Sequence, residues 1–200
     1  MAPAADEKND DPPHLVRPSR EYALAFARQM FLRGERVDMQ TLAARLGVGR
    51  TTLYRWVGDR ERLIGEVLAD LTRQTWQSAT EQAEGEGIDR ALDTIRRFMV
   101  ATSGFPPLRQ FAENEPTLAL RVLMSDSGDV KPALQEGIEQ ALSANLVHPV
   151  DPEHIEIMVQ LGTALEWAPV VIGEAPAIDR AVALMRSLLS DGSRRDGLSH

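Results

Sequence analysis

The 200-residue chain has no cysteine, which excludes disulfides and thiolate-held metals. It also has almost no lysine. Of 22 basic residues only Lys8 and Lys131 are lysine, a bias of the kind a GC-rich genome imposes. No alternating apolar–polar run reads as a strand, no segment repeats, and no heptad pattern is long enough for an extended coiled coil. No N-terminal apolar segment resembles a signal peptide. The longest apolar stretch, residues 155–173, is interrupted by Glu156, Gln160 and Glu166, so it reads as a buried helix rather than a membrane span. A cytoplasmic protein with no membrane partner is therefore expected. His14, His148, His154 and His200 are scattered. His154 has Glu153 and Glu156 nearby but no second histidine at metal-ligand spacing. No nucleophile elbow, phosphate loop or carboxylate pair stands out. Neither catalysis, metal nor cofactor is expected.

What the chain does contain is helix-forming sequence with an uneven charge. Hydrophobic residues make up 43% and charged residues 26%, ordinary for a globular protein. The formal net charge of -8 divides into −3 over residues 1–16, +4 over 17–80 and −9 over 81–200. A basic head on an acidic body suits a phosphate binder whose head alone meets the polyanion. Residues 1–17 are polar with three prolines and read as a disordered tail. Ser19 caps a first helix carrying Tyr22, Phe26 and Met30, which Gly34 ends. Residues 18–64 form a three-helix head, 65–190 a helical body, and 191–200 a flexible tail. The fold class is all-α, with about nine helices.

The most informative stretch is 41–57. Asp38 caps a short helix through Leu42, Ala43 and Leu46. Gly47 supplies the left-handed turn, and a second short helix runs from Arg50 to Val57. Leu42, Ala43, Leu46, Val48 and Leu53 hold the pair together. The second helix concentrates hydroxyl, aromatic and basic groups, as a helix lying in the DNA major groove requires. Thr51, Thr52 and Tyr54 suit phosphate oxygens, and Arg50 and Arg55 suit phosphate or the guanine edge. Trp56 suits the sugar–phosphate edge, and Gln40 and Thr41 join the DNA-facing set. Arg60 opens the next helix, where its charge opposes the helix dipole unless a phosphate sits there. A three-helix module that touches only protein would share the same apolar spacing.

Leu46-Gly47-Val48, Thr52-Leu53-Tyr54, Arg60, Leu63-Ile64 and Phe31-Leu32-Arg33-Gly34 fall at the spacing of the tetracycline-repressor family, which residues 19–68 resemble. The resemblance implies a DNA-binding head and a ligand-binding body dimerised by its last two helices. It implies that Arg50, Thr51, Thr52, Tyr54, Arg55 and Trp56 face DNA, with Arg60 at a position where the family usually has a backbone-contacting lysine. Three features depart from the pattern: Asp38 stands where a threonine or serine is usual, Gly49 where a serine often caps, and the preceding loop is one residue short. Residues 111–123 further resemble actinobacterial regulators of signal-lactone degradation, implying a lactone or related acyl effector.

In the body, residues 151–168 are apolar on two faces: Ile155, Met158, Gly162 and Leu165 on one, and Ile157, Leu161, Ala164 and Ala168 on the other. A helix apolar nearly all round is buried on both sides, and a homodimer through 151–168 and 177–189 would cover the second, with Gly162 and Ala164 allowing close approach. Phe98, Met99, Thr102, Phe105, Phe111, Met124, Met158 and Trp167 are candidate walls of an effector cavity, with Arg121, Gln160 and Glu166 as polar anchors. Ordinary core is the competing role for each of these side chains. The expected function is a DNA-operator-binding, ligand-responsive regulator. The alternatives are a helical enzyme and a dimeric binding module without DNA binding.

Overall fold

The computed structural model describes residues 18–125 and 128–196. The expected N-terminal tail, 1–17, lies outside the described residues, as do 197–200 of the C-terminal one. Ten α-helices make up the described fold: α1 Arg20–Leu32, α2 Met39–Leu46, α3 Arg50–Val57, α4 Arg60–Gln82, α5 Gly87–Ser103, α6 Pro106–Asn114, α7 Pro116–Met124, α8 Val130–Ser143, α9 Pro152–Val171 and α10 Ile178–Asp196. The count is ten against the expected nine or so, with α6 and α7 two separate short helices on either side of Glu115. Glu115 leaves the helical region between them (φ −133°, ψ 56°), and Pro116 opens α7 without needing an N–H partner.

Local signals set most of the helix starts. Ser19, Asp38, Asp59 and Asp151 each accept a backbone N–H of the helix they open. Gly47 ends α2 at φ 65°, a conformation an L side chain resists. Two helices run further than their sequence pattern suggests. The last helix continues to Asp196, and α9 continues through Pro169 to Val171. Proline has no N–H for the carbonyl of Leu165, four residues earlier. That carbonyl instead accepts the Ala177 N–H just before α10, at 2.9 Å. The helix thus tolerates its proline, and the turn into α10 is anchored.

Two apolar clusters form the core. One joins α1, α2 and α3 through the first half of α4 to α6, α7 and the end of α9. The other surrounds Trp76 with α5, α8, α9 and α10. Helices α1–α3 are therefore packed directly onto α6, α7 and the end of α9, and α4 contributes to both clusters. Trp76 stacks on Phe98, with ring centroids 3.9 Å apart and planes 6° from parallel. Gly137 makes room for this pair, because a Cβ there would fall 2.2 Å from the indole.

The two faces of α9 separate as its sequence suggests. Ile155, Met158 and Gly162 are buried, whereas Ile157 and Ala168 are exposed and Leu161 and Ala164 half-buried. The role expected of Gly162 needs correction: its missing side chain admits Met185 of the same chain, whose Cε lies 3.0 Å from the Cβ position. The close approach it permits is between α9 and α10. Among the described residues no helix is long and apolar enough to cross a membrane, and no cluster of His, Cys, Asp or Glu could hold a metal.

Candidate DNA-reading head and effector groove

Helix α3 buries Leu53 and Val57 and turns its polar residues outward. Arg50, Thr51, Tyr54 and Arg55 are exposed and Thr52 and Trp56 half-buried. Tyr54, 48% exposed, is a large ring left in water. Gln40 and Thr41 on α2 are exposed beside them. The Thr41 hydroxyl donates to Asp38, and the same carboxylate takes the Thr41 N–H, at 2.9 and 2.8 Å. These bonds hold the Asp38 carboxyl below its usual range. Asp38 replaces the usual hydroxyl cap at the cost of a donor towards phosphate. Arg20, at the start of α1, fixes the end of α3. Its Nε donates to the Trp56 carbonyl at 3.0 Å, and its guanidinium pairs with Glu66 of α4 at 2.5 Å.

Arg60 does not present a free charge. Its two terminal nitrogens donate to the two Glu115 carboxylate oxygens at 2.6 and 2.7 Å, and its Nε donates to the Val37 carbonyl at 2.5 Å. Those bonds, reinforced by Arg36 at 3.8 Å, pull the Glu115 carboxyl below its ordinary range. In this conformation Arg60 joins the head to the α6–α7 corner rather than reaching outward. Arg121 of α7 pairs with Glu61 of α4 at 3.3 Å, and Phe111 of α6 meets Phe31 of α1 edge-to-face at 5.8 Å. Side chains of the α6–α7 region and of α1–α4 thus meet in a seam around Glu115.

Two cavities with no lining residue in common flank this seam. A cleft of about 660 Å³ opens at the head–body junction around Arg36, Arg60, Phe111, Glu115 and Arg121. A groove of about 690 Å³ runs between α4 and α5. The candidate effector residues divide among these places and the core. Thr102 and Phe105 line the groove, and Phe111 and Arg121 line the junction cleft. Phe98, Met99, Met158 and Trp167 are buried in the apolar clusters. Met124 and Gln160 are exposed, and Gln160 bonds Glu156 of its own helix.

Glu166 is the one candidate with unusual electrostatics. It is 3% exposed and, among the described residues, no cation pairs with it, so burial lifts its carboxyl pKa to about 8. Its Oε1 lies 2.5 Å from Thr102 Oγ1, which is itself 2.9 Å from the Phe98 carbonyl. The Thr102 hydroxyl donates to Glu166, and this bond only partly offsets the effect of burial. Glu166 thus stands one hydrogen bond behind the groove wall. Sequence spacing missed the groove's other residues, among them Leu68, Leu71, Val100 and Arg97. Their faces of α4 and α5 are read from the helical period, but the gap between the helices is set by tertiary packing. Glu115 was also missed, because its partner lies 55 positions away.

Residues 86–190 match the family described as tetracyclin repressor-like, C-terminal domain. Among solved structures, the chain is similar to the TetR-family transcriptional repressor QsdR of R. erythropolis, at 33% identity and TM-score 0.78, covering 89% of this chain and 96% of that one. A TetR transcriptional regulator from Rhodococcus sp. RHA1 shares the fold at 21% identity and TM-score 0.56, over 84% and 92% of the two chains. The repressor AlkX from Dietzia sp. strain DQ12-45-1b, implicated in biodegradation of n-alkanes, does so at 18% identity and TM-score 0.55, over 86% and 94%. No curated protein matches. The all-helical fold, the bare polar face of α3 and the match across the body agree: the chain belongs to the tetracycline-repressor family of transcriptional regulators, not to a family of enzymes.

Proposed function

We propose that the protein is a cytoplasmic homodimeric repressor that binds a palindromic DNA operator and leaves it when a small, mainly apolar effector occupies the groove between α4 and α5. A lactone is the effector class that residues 111–123 favour by resemblance. The single observation that carries the DNA-binding half is the division of α3, with Leu53 and Val57 in the core and Arg50, Thr51, Tyr54 and Arg55 in water. Two copies paired through the exposed stripe Ile157, Leu161, Ala164 and Ala168 would present two such helices to one face of a duplex. Their half-sites would lie roughly 34–36 Å apart or a multiple of that. An effector releases DNA only if it prefers the conformation with misplaced heads, which makes release a shift of population.

The test is selection of duplexes from random DNA by the purified protein, followed by titration of the recovered sequence with and without candidate lactones. A palindromic consensus whose affinity drops steeply with salt supports the proposal. A salt-insensitive association, or no enriched sequence, supports the module without DNA binding.

A further inference from the structure

The groove between α4 and α5 is graded along its length. The two helices run antiparallel, since the Asp93 carboxylate near the start of α5 accepts the Glu84 N–H just past the end of α4, at 2.9 Å. At that far end the walls are polar: Ser78, Gln82, Asp93, Arg96 and Arg97. Arg97 donates to Asp93 at 2.6 Å and Arg96 pairs with the exposed Asp179 at 3.2 Å, so an acceptor head placed there shares these guanidiniums with carboxylates. At the near end they are apolar: Leu68 and Leu71 of α4, Phe105 and Leu108 of α5–α6, Leu123 of α7 and Leu32 of α1. Between them the lining is mixed: Val100 and Ala101 leave apolar surface wet, beside Thr72, Gln74, Thr75 and Thr102. Val100 is 46% exposed and Leu32 36%. From Leu68 to Gln82 the α4 wall spans about 20 Å at the helical rise. A groove of this length with one apolar and one polar end matches an unbranched chain with a polar head rather than a compact ring system.

Leu32 belongs to the DNA-reading head. The apolar end of the slot is therefore where the last turn of α1 meets α4, α6 and α7, beside the corner whose Glu115 grips Arg60. An occupant that stops short of Leu32 touches only the body. One that reaches it pushes between head and body.

We propose that the groove takes a linear amphiphile, an unbranched alkyl chain ending in an oxygen acceptor head, with its head at Arg96 and Arg97 and its tail against Leu32, and that the reach of the tail decides whether the heads move. The inference rests on the effector-responsive function proposed above and names its effector class. Binding and signalling then separate. Affinity rises by roughly fourfold for each methylene buried. Release of DNA, in contrast, sets in only at the length that reaches the α1 end.

The experiment uses the full-length protein with octanoate, decanoate and dodecanoate in one arm and γ-octalactone, γ-decalactone and γ-dodecalactone in the other. The two arms distinguish a carboxylate head from a lactone carbonyl. Affinity is read by calorimetry. Head movement is read as operator release and, without DNA, as amide hydrogen exchange over residues 28–33. The expected result is smooth gain in affinity with length and a step in both head readouts. Val100→Trp, at an exposed position inside the slot, should weaken the longest chain at least tenfold and leave DNA affinity unchanged. Leu32→Ala should leave the affinity of the shortest chain unchanged and move the step to a longer one. Release that tracks affinity at every length overturns the proposal, as does indifference to both substitutions. If a compact molecule releases DNA while no chain binds, the groove inference falls and the repressor function stands. If the hydrogen-exchange step appears while no duplex is ever bound, the groove inference stands and the repressor function falls.

Discussion

Glu115 closes both terminal nitrogens of Arg60, at 2.6 and 2.7 Å, across the boundary between the three-helix head and the body. Arg60 sits at the N-terminus of α4, where the helix dipole disfavours a cation. Glu115 supplies the compensating charge, and the Val37 carbonyl takes the third donor. The pair is one of the contacts that join the start of α4 to the α6–α7 corner, beside Phe31–Phe111 and Glu61–Arg121.

Glu115→Gln should cost about 1–2 kcal/mol in urea unfolding, because Arg60 keeps a neutral acceptor but loses the charged one. The folded carboxyl titrates below its unfolded value, so the pair's contribution is complete above the ordinary glutamate range and is lost as pH falls through the lower folded value. The variant should therefore show a flatter acid limb than the parent. An unchanged acid limb would show that the pair contributes nothing to the junction.

Glu166 behaves in the opposite sense. Burial raises its pKa to about 8, so between the ordinary carboxylate range and that value the unfolded chain has released a proton the folded protein still holds. Stability from this group is complete below that window and declines as pH rises through it. Glu166→Gln, neutral and of similar shape, should remove the decline and be the more stable protein at pH 8. The check is denaturant unfolding of both proteins at pH 5 and pH 8.

Gly137→Ala should be costly although it adds only a methyl group. The new Cβ would fall 2.2 Å from the Trp76 ring, which cannot yield without leaving Phe98. A loss of roughly 1–3 kcal/mol is expected, the usual range for overpacking. A changed near-ultraviolet circular dichroism signal from the displaced indole should accompany it.

Ile157→Arg places a charge in the exposed apolar stripe of α9 without touching the intrachain face of Ile155 and Met158. Sedimentation equilibrium should show a dimeric parent and a monomeric, folded variant. A variant that stays dimeric would place the subunit contact elsewhere.

Much of the fold was legible because its signals are local. Asp38, Gly47, Asp59 and Asp151 announce helix ends through bonds to atoms two or three residues away. The polar face of α3 was legible for the same reason, since Leu53 and Val57 differ in chemistry from the residues between them. The seam and the groove were not legible. Arg60 reads as a phosphate ligand until Glu115, distant in sequence, fills its fork. Gly162 reads as a subunit contact until Met185 is seen against it. Candidate cavity residues chosen for size, such as Phe98 and Met158, are core, because size marks burial and does not mark emptiness.

The most direct test is an anisotropy titration of the selected duplex at several salt concentrations, comparing the parent with Tyr54→Ala and Arg55→Ala. If α3 reads DNA, both variants remain dimeric and bind more weakly, and loss of a phosphate contact lowers the salt slope by about one. Equal affinity and equal slope in all three proteins would contradict the assignment of α3 as the DNA-reading helix.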